Sequence, residues 1–133
     1  MINVVQVGYG YWGTNVARNL MAAKNAKVNA ICDKRQQCME KARKVYLDMT
    51  EYALDYMKYL VDPKVDAFAV VIQTEPSYQV ALDVLRSGKH LFIEKPMASN
   101  AQRAEDICRA AEENRRIVHC DHIMVYHPII RYI

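Results

Sequence analysis

Residues 2–13 of the chain read INVVQVGYGYWG. The first half of this stretch is rich in β-branched residues and predicts a buried strand over Ile2–Val7. The second half contains three glycines in the spacing G-x-G-x-x-G, and apolar residues recur at helical spacing after it, at Val16, Leu20 and Ala23. A glycine motif between a strand and a helix is typical of a dinucleotide phosphate loop, and the alternative is a glycine-rich turn without a ligand.

Each glycine has a separate task in such a loop. Gly8 permits the tight turn after the strand, Gly10 lets the backbone approach a pyrophosphate, and Gly13 lets the helix pack close to the strand. The N–H groups around Tyr11 and Trp12 and the positive end of the helix dipole then face the anion. The motif therefore predicts that these five residues bind the phosphates of a dinucleotide cofactor.

A carboxylate follows the second predicted strand, which covers residues 27–32. Asp33 lies twenty residues after Gly13, where a carboxylate accepts hydrogen bonds from the hydroxyls of an adenosine ribose and repels a 2′-phosphate. This position favours NAD as the cofactor. NADP is the alternative cofactor, because a cation just after the strand can bind its extra phosphate, and Lys34 and Arg35 lie there. The alternative is that Asp33 is a solvated turn residue.

The rest of the chain alternates between short apolar runs and longer amphipathic ones. Further strands are predicted over residues 65–72, 90–93 and 117–120, and further helices over residues 34–45, 50–60, 77–86 and 99–114. Apolar strands that alternate with helices are typical of right-handed βαβ units. The pattern predicts an α/β fold with a doubly wound parallel sheet, which is a Rossmann-type dinucleotide-binding domain.

Composition limits the functional classes. The 133 residues, 52% apolar and 25% charged, fit one globular domain. The net charge of +3 is too small to indicate nucleic acid as a partner, although residues 1–45, with eight Lys or Arg against two acidic residues, favour a small anionic ligand. No membrane segment or signal peptide is visible, and the four cysteines form no C-x-x-C pair. We therefore expect a cytoplasmic protein with free thiols and no metal site.

A second group of candidate site residues follows the strand predicted over residues 90–93. Glu94, Lys95 and Pro96 lie at the carboxyl end of this strand, where doubly wound sheets hold their ligands. A lysine beside a carboxylate could donate a proton or a hydrogen bond to a substrate oxygen, and the alternative is a surface lysine in a strand–helix loop. Asp121 and His122 follow the last predicted strand and are further candidates near a substrate site.

Several blocks of the chain together resemble one family. They are residues 8–15 (GYGYWGTN) with Arg18 and Asn19, and residues 88–90 (GKH), which lead to residues 94–98 (EKPMA). These blocks and their spacing resemble the glucose–fructose oxidoreductase / inositol dehydrogenase / MocA family, and the resemblance covers nearly all of the chain.

The resemblance implies a role for each matching residue. Gly8, Gly10, Tyr11, Trp12 and Gly13 would line the dinucleotide pyrophosphate. Asp33 would hold the adenosine ribose with Lys34 next to it, and Thr74, at the end of the third predicted strand, would lie near the cofactor's ribose. Glu94 and Lys95 would lie beside the nicotinamide, with Lys95 as the catalytic acid/base helper, and the Lys95–Pro96 peptide bond would be cis.

The resemblance also implies the activity, which is hydride transfer between NAD(P) and a sugar-like secondary alcohol, nucleotide sugars included. The chain departs from the family in two ways. No histidine follows Thr74 within a few residues, where residues 75–78 read EPSY, and the second domain that would carry the substrate pocket is absent. We therefore expect a dinucleotide-binding domain over residues 1–121 and the start of the crossover to a missing second domain over residues 122–133.

These expectations leave three functional alternatives. The first is the cofactor domain of an oxidoreductase, inactive by itself in this 133-residue form, whose full-length enzyme binds a sugar-like substrate and could form a homo-oligomer. The second is a non-catalytic nucleotide-binding or interaction module derived from that fold. The third is a methyl-transferring domain, in which the sequence from Glu94 to Pro96 would have no task.

Overall fold

The computed structural model describes residues 1–132, and of Arg131 the backbone only. The strands are β1 (Ile2–Val7), β2 (Ala26–Cys32), β3 (Glu51–Ala53), β4 (Ala67–Val70), β5 (His90–Ile93) and β6 (Val118–Cys120). The helices are α1 (Tyr11–Ala22), α2 (Gln36–Tyr46), α3 (Met57–Leu60), α4 (Thr74–Arg86), α5 (Ala101–Glu113) and α6 (Pro128–Tyr132).

The strands form one parallel sheet in the order β3-β2-β1-β4-β5-β6. Strand β1 lies in the middle and pairs with β2 on one side and with β4 on the other. The chain therefore winds outward in one direction from β1 to β3 and in the other direction from β4 to β6. This arrangement confirms the predicted doubly wound α/β fold of Rossmann type.

Apolar side chains cover both faces of the sheet, because each parallel strand is buried between two layers of helices. On one face the core joins Val5 and Val7 to α4 and α5. On the other face Val4 packs with Val16 of α1, while Ile31 lies with residues of α2. The helices packed on the two faces of the sheet hold the first turn of α1 next to the carboxyl end of β1.

One predicted element is wrong. Residues 50–60 were expected to form a helix, since Ala53, Met57 and Leu60 recur at helical spacing. In the structure Glu51–Ala53 is the edge strand β3, which pairs with the end of β2, and only Met57–Leu60 is helical. Three residues are too few to produce a strand pattern in the sequence, so pairing with β2 decides this conformation.

Two further features concern the described chain. No helix within residues 1–132 is both long enough and apolar enough to cross a bilayer. The thiols of Cys32, Cys38, Cys108 and Cys120 are all free.

Candidate cofactor site

The register of the sheet places the candidate residues in a row along its carboxyl edge. Val7 of β1 is aligned with Cys32 of β2 and with Val70 of β4. Val70 is aligned in turn with Ile93 of β5, and Ile93 with Cys120 of β6. The residues that follow these five are therefore neighbours, and they are Asp33, Gly8, Val71, Glu94 and Asp121. The row brings together positions that lie up to 113 residues apart in the chain, from Gly8 to Asp121.

A cavity of about 930 Å³ opens over this edge. It lies where β1 and β4 meet and the chain direction reverses, which is the ligand-binding position of doubly wound sheets. Its walls include nearly all of the residues predicted to bind the cofactor, namely Gly8, Gly10, Tyr11, Trp12, Gly13, Asp33, Lys34, Glu94 and Lys95.

The three glycines of the loop are required for different steric reasons. Gly8 has a φ of +102°, and a Cβ there would lie 2.1 Å from the carbonyl oxygen of Val71. A Cβ on Gly13 would lie 2.5 Å from the carbonyl oxygen of Gly8. Around Gly10 the corresponding space is open apart from Nη2 of Arg35 at 3.3 Å. Gly8 and Gly13 therefore serve the packing of the loop, whereas Gly10 leaves room on the cavity side.

The N-terminus of α1 faces the cavity without a side-chain cap. Gly10 is the N-cap residue, and no acidic residue lies in the first turn. The first intrahelical hydrogen bond runs from the N–H of Thr14 to the carbonyl of Gly10, so the N–H groups of residues 11–13 precede it. Uncapped N–H groups together with the helix dipole form an anion site. This end of the helix fits the phosphates of a dinucleotide.

Asp33 is held at the next position of the row by several donors. The residue is 7% exposed, and its carboxylate accepts hydrogen bonds from the backbone N–H of Tyr9 at 2.9 Å and of Arg35 at 3.0 Å. The guanidinium of Arg35 adds two more, from Nε at 2.9 Å and from Nη2 at 2.8 Å. Burial by itself would raise the pKa of Asp33, but these hydrogen bonds outweigh it and lower the pKa from 3.8 to about 2. Asp33 is therefore ionised and oriented at neutral pH.

Glu94 forms a carboxyl pair with Asp121 at the other end of the row. Burial and the neighbouring Asp121 carboxyl raise the pKa of Glu94, and the Trp12 side chain and the Lys95 backbone N–H offset part of this. Its Oε2 accepts from the Lys95 N–H at 3.1 Å, while its buried Oε1 has no hydrogen bond of good geometry within residues 1–132.

Lys95 is exposed on the cavity wall. The Lys95–Pro96 peptide bond is cis, as the resemblance implies. Lys34 also lines the cavity with an exposed side chain. Both lysines are therefore free to meet an anionic or oxygen-rich ligand in this cleft.

Thr74 does not lie where the sequence placed it. It was expected at the end of a strand that reached residue 72, but β4 ends at Val70 and Thr74 is the first residue of α4. Its neighbours Gln73 and Pro76 line the cavity, and Thr74 is not among the lining residues. The apolar run continues past the end of β4: the N–H of Val71 still donates to the Val7 carbonyl at 2.7 Å, and its side chain packs with Val16 of α1.

The sequence analysis missed several residues of the site. Residues 54–56, which follow β3, line the cavity beside Asp33, and they were hidden by the helix predicted there. Ile123 contributes from beyond β6. Gln6 lies beneath the glycine loop, and its signal in the sequence was a single amide in a run of valines.

Within residues 1–132 no group of three His, Cys, Asp or Glu side chains is placed to hold a metal ion.

The model of the oxidoreductase family with an NAD-binding Rossmann fold matches residues 2–122. The chain belongs to this family. The chain is 29% identical over 128 residues to an inositol 2-dehydrogenase/D-chiro-inositol 3-dehydrogenase from Lactiplantibacillus plantarum, covering 92% of this chain and 35% of that protein. It is 26% identical over 127 residues to a UDP-N-acetylglucosamine 3-dehydrogenase from Acidithiobacillus ferrooxidans, covering 96% of this chain and 39% of that one. The chain thus spans little more than a third of the length of these relatives.

A solved structure shows the same fold. A 3-ketoreductase from Actinomadura kijaniata, solved with NADP and TDP-benzene, superimposes with a TM-score of 0.89 over 98% of this chain and 40% of that chain, at 23% identity. This likeness, at 23% identity, concerns the Rossmann fold alone.

Proposed function

We propose that the chain is the cofactor-binding domain of a cytoplasmic oxidoreductase that transfers a hydride between NAD(P) and a sugar-like secondary alcohol. One observation carries the proposal. The uncapped N-terminus of α1, the carboxylate of Asp33 and the Lys95 loop lie around a single cavity at the switch point of the sheet. These three elements match the pyrophosphate, the ribose and the reacting end of a dinucleotide.

Each residue group has its own part in binding. The N–H groups at the start of α1 hold the pyrophosphate, and the open side of Gly10 lets the phosphates approach the backbone. Asp33 accepts hydrogen bonds from the adenosine ribose, and Lys34 adds a positive charge at the same edge. Thr74, at the start of α4, would approach the nicotinamide ribose only from behind the cavity wall that its neighbours Gln73 and Pro76 form. When bound, the nicotinamide supplies the hydride acceptor or donor.

Lys95 is the proposed catalytic residue. Its side chain extends from the carboxyl edge of β5. It donates a proton to the ketone oxygen when hydride is added to the carbonyl carbon, and in the reverse direction it takes the hydroxyl proton when hydride leaves for the nicotinamide. Glu94 precedes it, and its carboxyl group lies beside Asp121 and the Trp12 side chain in the same region. A positive charge at this position stabilises the negative charge that develops on the oxygen when a proton leaves it.

The names of the relatives support a proposed substrate class. Inositol and a nucleotide sugar are the substrates named for the two relatives above, and both are ring alcohols. We propose a substrate of that class in the full-length enzyme and a homo-oligomer as its assembly. Residues 1–121 then form the dinucleotide-binding domain, and residues 122–133 begin the crossover to a second domain. Residues 1–133 alone would bind the cofactor but turn over little substrate.

NADH fluorescence titration tests the proposal. We expect saturable binding by the unsubstituted chain and loss of binding in Gly10→Val, whose fold should persist because the added side chain enters the cavity. Gly88→Ala is the control, since Gly88 has a φ of +78° but lies outside the cavity. It should cost stability and leave binding unchanged. Equal NADH affinity in Gly10→Val, or no binding by the unsubstituted chain at millimolar NADH, would contradict the proposal.

A further inference from the structure

Gln6 is a polar side chain at the centre of the sheet. It is fully buried in β1, among strands whose other central residues are apolar. Its neighbours across the sheet are Ile31 of β2 and Ala69 of β4. An apolar side chain would fill this position without the cost of burying an amide. The burial of a glutamine at this position indicates that its hydrogen bonds have a specific structural role.

The amide of Gln6 joins the two ends of the glycine loop. Its Nε2 donates one hydrogen bond to the carbonyl of Gly8 and another to the carbonyl of Gly13, each 2.8 Å long. Its Oε1 is buried and has no hydrogen-bond partner within residues 1–132. The side chain is therefore oriented by its donor group alone.

These two hydrogen bonds fix the peptide planes on either side of the phosphate-binding N–H groups. In a planar peptide the carbonyl and the next N–H point in opposite directions. The Gly8–Tyr9 peptide is held by Gln6 at its oxygen and by Asp33 at its N–H. The Gly13–Thr14 peptide is held by Gln6 at its oxygen and by the Gly10 carbonyl at its N–H. The segment between them has both ends anchored.

We propose that Gln6 is a positioning residue that sets the backbone N–H groups of residues 10–13 for a diphosphate. The proposal rests on the function proposed above and extends it to a residue that does not touch the ligand. It predicts that loss of the Gln6 amide weakens ligands that carry phosphates and spares those that lack them. A residue that only fills the core would affect both kinds of ligand alike or neither.

Gln6→Met tests this role, because methionine keeps the length of the side chain and removes the donor. We expect about tenfold weaker binding of ADP, from the loss of two hydrogen bonds that orient the loop, and adenosine affinity within about twofold of the unsubstituted chain. Val4→Ala is the matched control. Val4 is buried on the same face of β1 and packs against α1 without contacting the loop, so its substitution lowers stability but should leave the ratio of ADP to adenosine affinity unchanged.

Glycine signals provide a second readout in the same proteins. The chain contains four glycines, so selective ¹⁵N-glycine labelling gives one amide signal for each, with Gly88 as a reference outside the cavity. ADP should shift the signals of the three loop glycines in the unsubstituted chain, and Gln6→Met should reduce these shifts while that of Gly88 stays fixed. Equal affinity ratios and equal shifts in Gln6→Met and Val4→Ala would overturn the role of Gln6.

The unsubstituted chain also gives a direct measurement, which decides the matter if Gln6→Met fails to fold. With ¹⁵N-glutamine labelling, the side-chain protons of Gln6 should exchange with solvent far more slowly than those of Gln36 and Gln102, which lie on exposed positions. They should also respond to ADP. Fast exchange, or no response to bound ADP, would overturn the inference. If the unsubstituted chain failed to bind ADP, the proposed function would be overturned together with the role of Gln6. If it binds ADP but Gln6→Met behaves like Val4→Ala, only the role of Gln6 is overturned.

Discussion

Nε and Nη2 of Arg35 each donate a hydrogen bond to a different carboxylate oxygen of Asp33, at 2.9 and 2.8 Å. The guanidinium therefore occupies the hydrogen-bonding positions that the two hydroxyls of a ribose would use. Arg35 itself is largely exposed, with 61% of its side chain accessible, and Asp33 is buried. The arginine can thus move away while the carboxylate stays, and we expect the balance between NAD and NADP binding to depend on both residues.

Asp33→Asn removes the charge and keeps an oxygen for the backbone N–H of Tyr9. We expect about tenfold weaker NADH binding and a smaller gap between NADH and NADPH, because the repulsion of a 2′-phosphate disappears with the charge. Fluorescence titration with both cofactors measures this. Asp48→Asn, an exposed substitution of the same type, controls for net charge. An unchanged ratio of the two affinities would contradict the role of Asp33.

Arg35→Gln frees the carboxylate of Asp33 and removes a cation. NADH should bind about threefold more tightly, since its ribose no longer displaces a guanidinium, and NADPH about threefold more weakly, since its phosphate loses a partner. Lys41→Gln, an exposed substitution on α2 outside the cavity, should change neither affinity. If Arg35→Gln changed the affinities for NADH and NADPH by the same factor in the same direction, Arg35 would act only through the general positive charge of the site.

The lowered pKa of Asp33 predicts a defined loss of stability in acid. A carboxyl group whose pKa is lower in the folded than in the unfolded chain stabilises the fold above its unfolded pKa. For Asp33 this contribution should be complete above pH 3.8 and should decline as the pH falls towards about 2. Urea unfolding followed by circular dichroism should give a flatter pH dependence for Asp33→Asn in this window. Parallel curves for the two chains would contradict the prediction.

The carboxyl pair of Glu94 and Asp121 predicts a pH dependence of stability opposite to that of Asp33. A carboxyl group whose pKa is raised in the folded chain destabilises the fold above its ordinary pKa, which is 4.5 for Glu94. Asp121→Asn removes one charge of the pair and should raise the melting temperature at pH 7 by about 2 °C or more. The gain should shrink as the pH falls below 4.5, where Glu94 is protonated in both states. Glu105→Gln, on the exposed side of α5, is the control, and an equal gain there would contradict the prediction.

The fold was predictable to the extent that its signals are local. Gly8 to Gly13 lie within one strand–turn–helix unit, and their spacing reports steric needs that the chain meets at that point. The strand β3 was not predictable, because its three residues take their conformation from pairing with β2. Thr74 was misplaced for a related reason, since an apolar run does not reveal where strand pairing stops and a buried loop begins.

The sequence by itself determined the alternation of strands and helices, the glycine loop and the carboxylate twenty residues after it. These follow from side-chain periodicity and from the small size of glycine, which act over a few residues. The tertiary structure decided which residues share the cavity: the strand order brings Asp33, Gly8 and Glu94 into one row. It also decided that Gln6 holds the loop and that Arg35 covers Asp33. Such contacts depend on distances and hydrogen-bond directions that exist only once the sheet has formed.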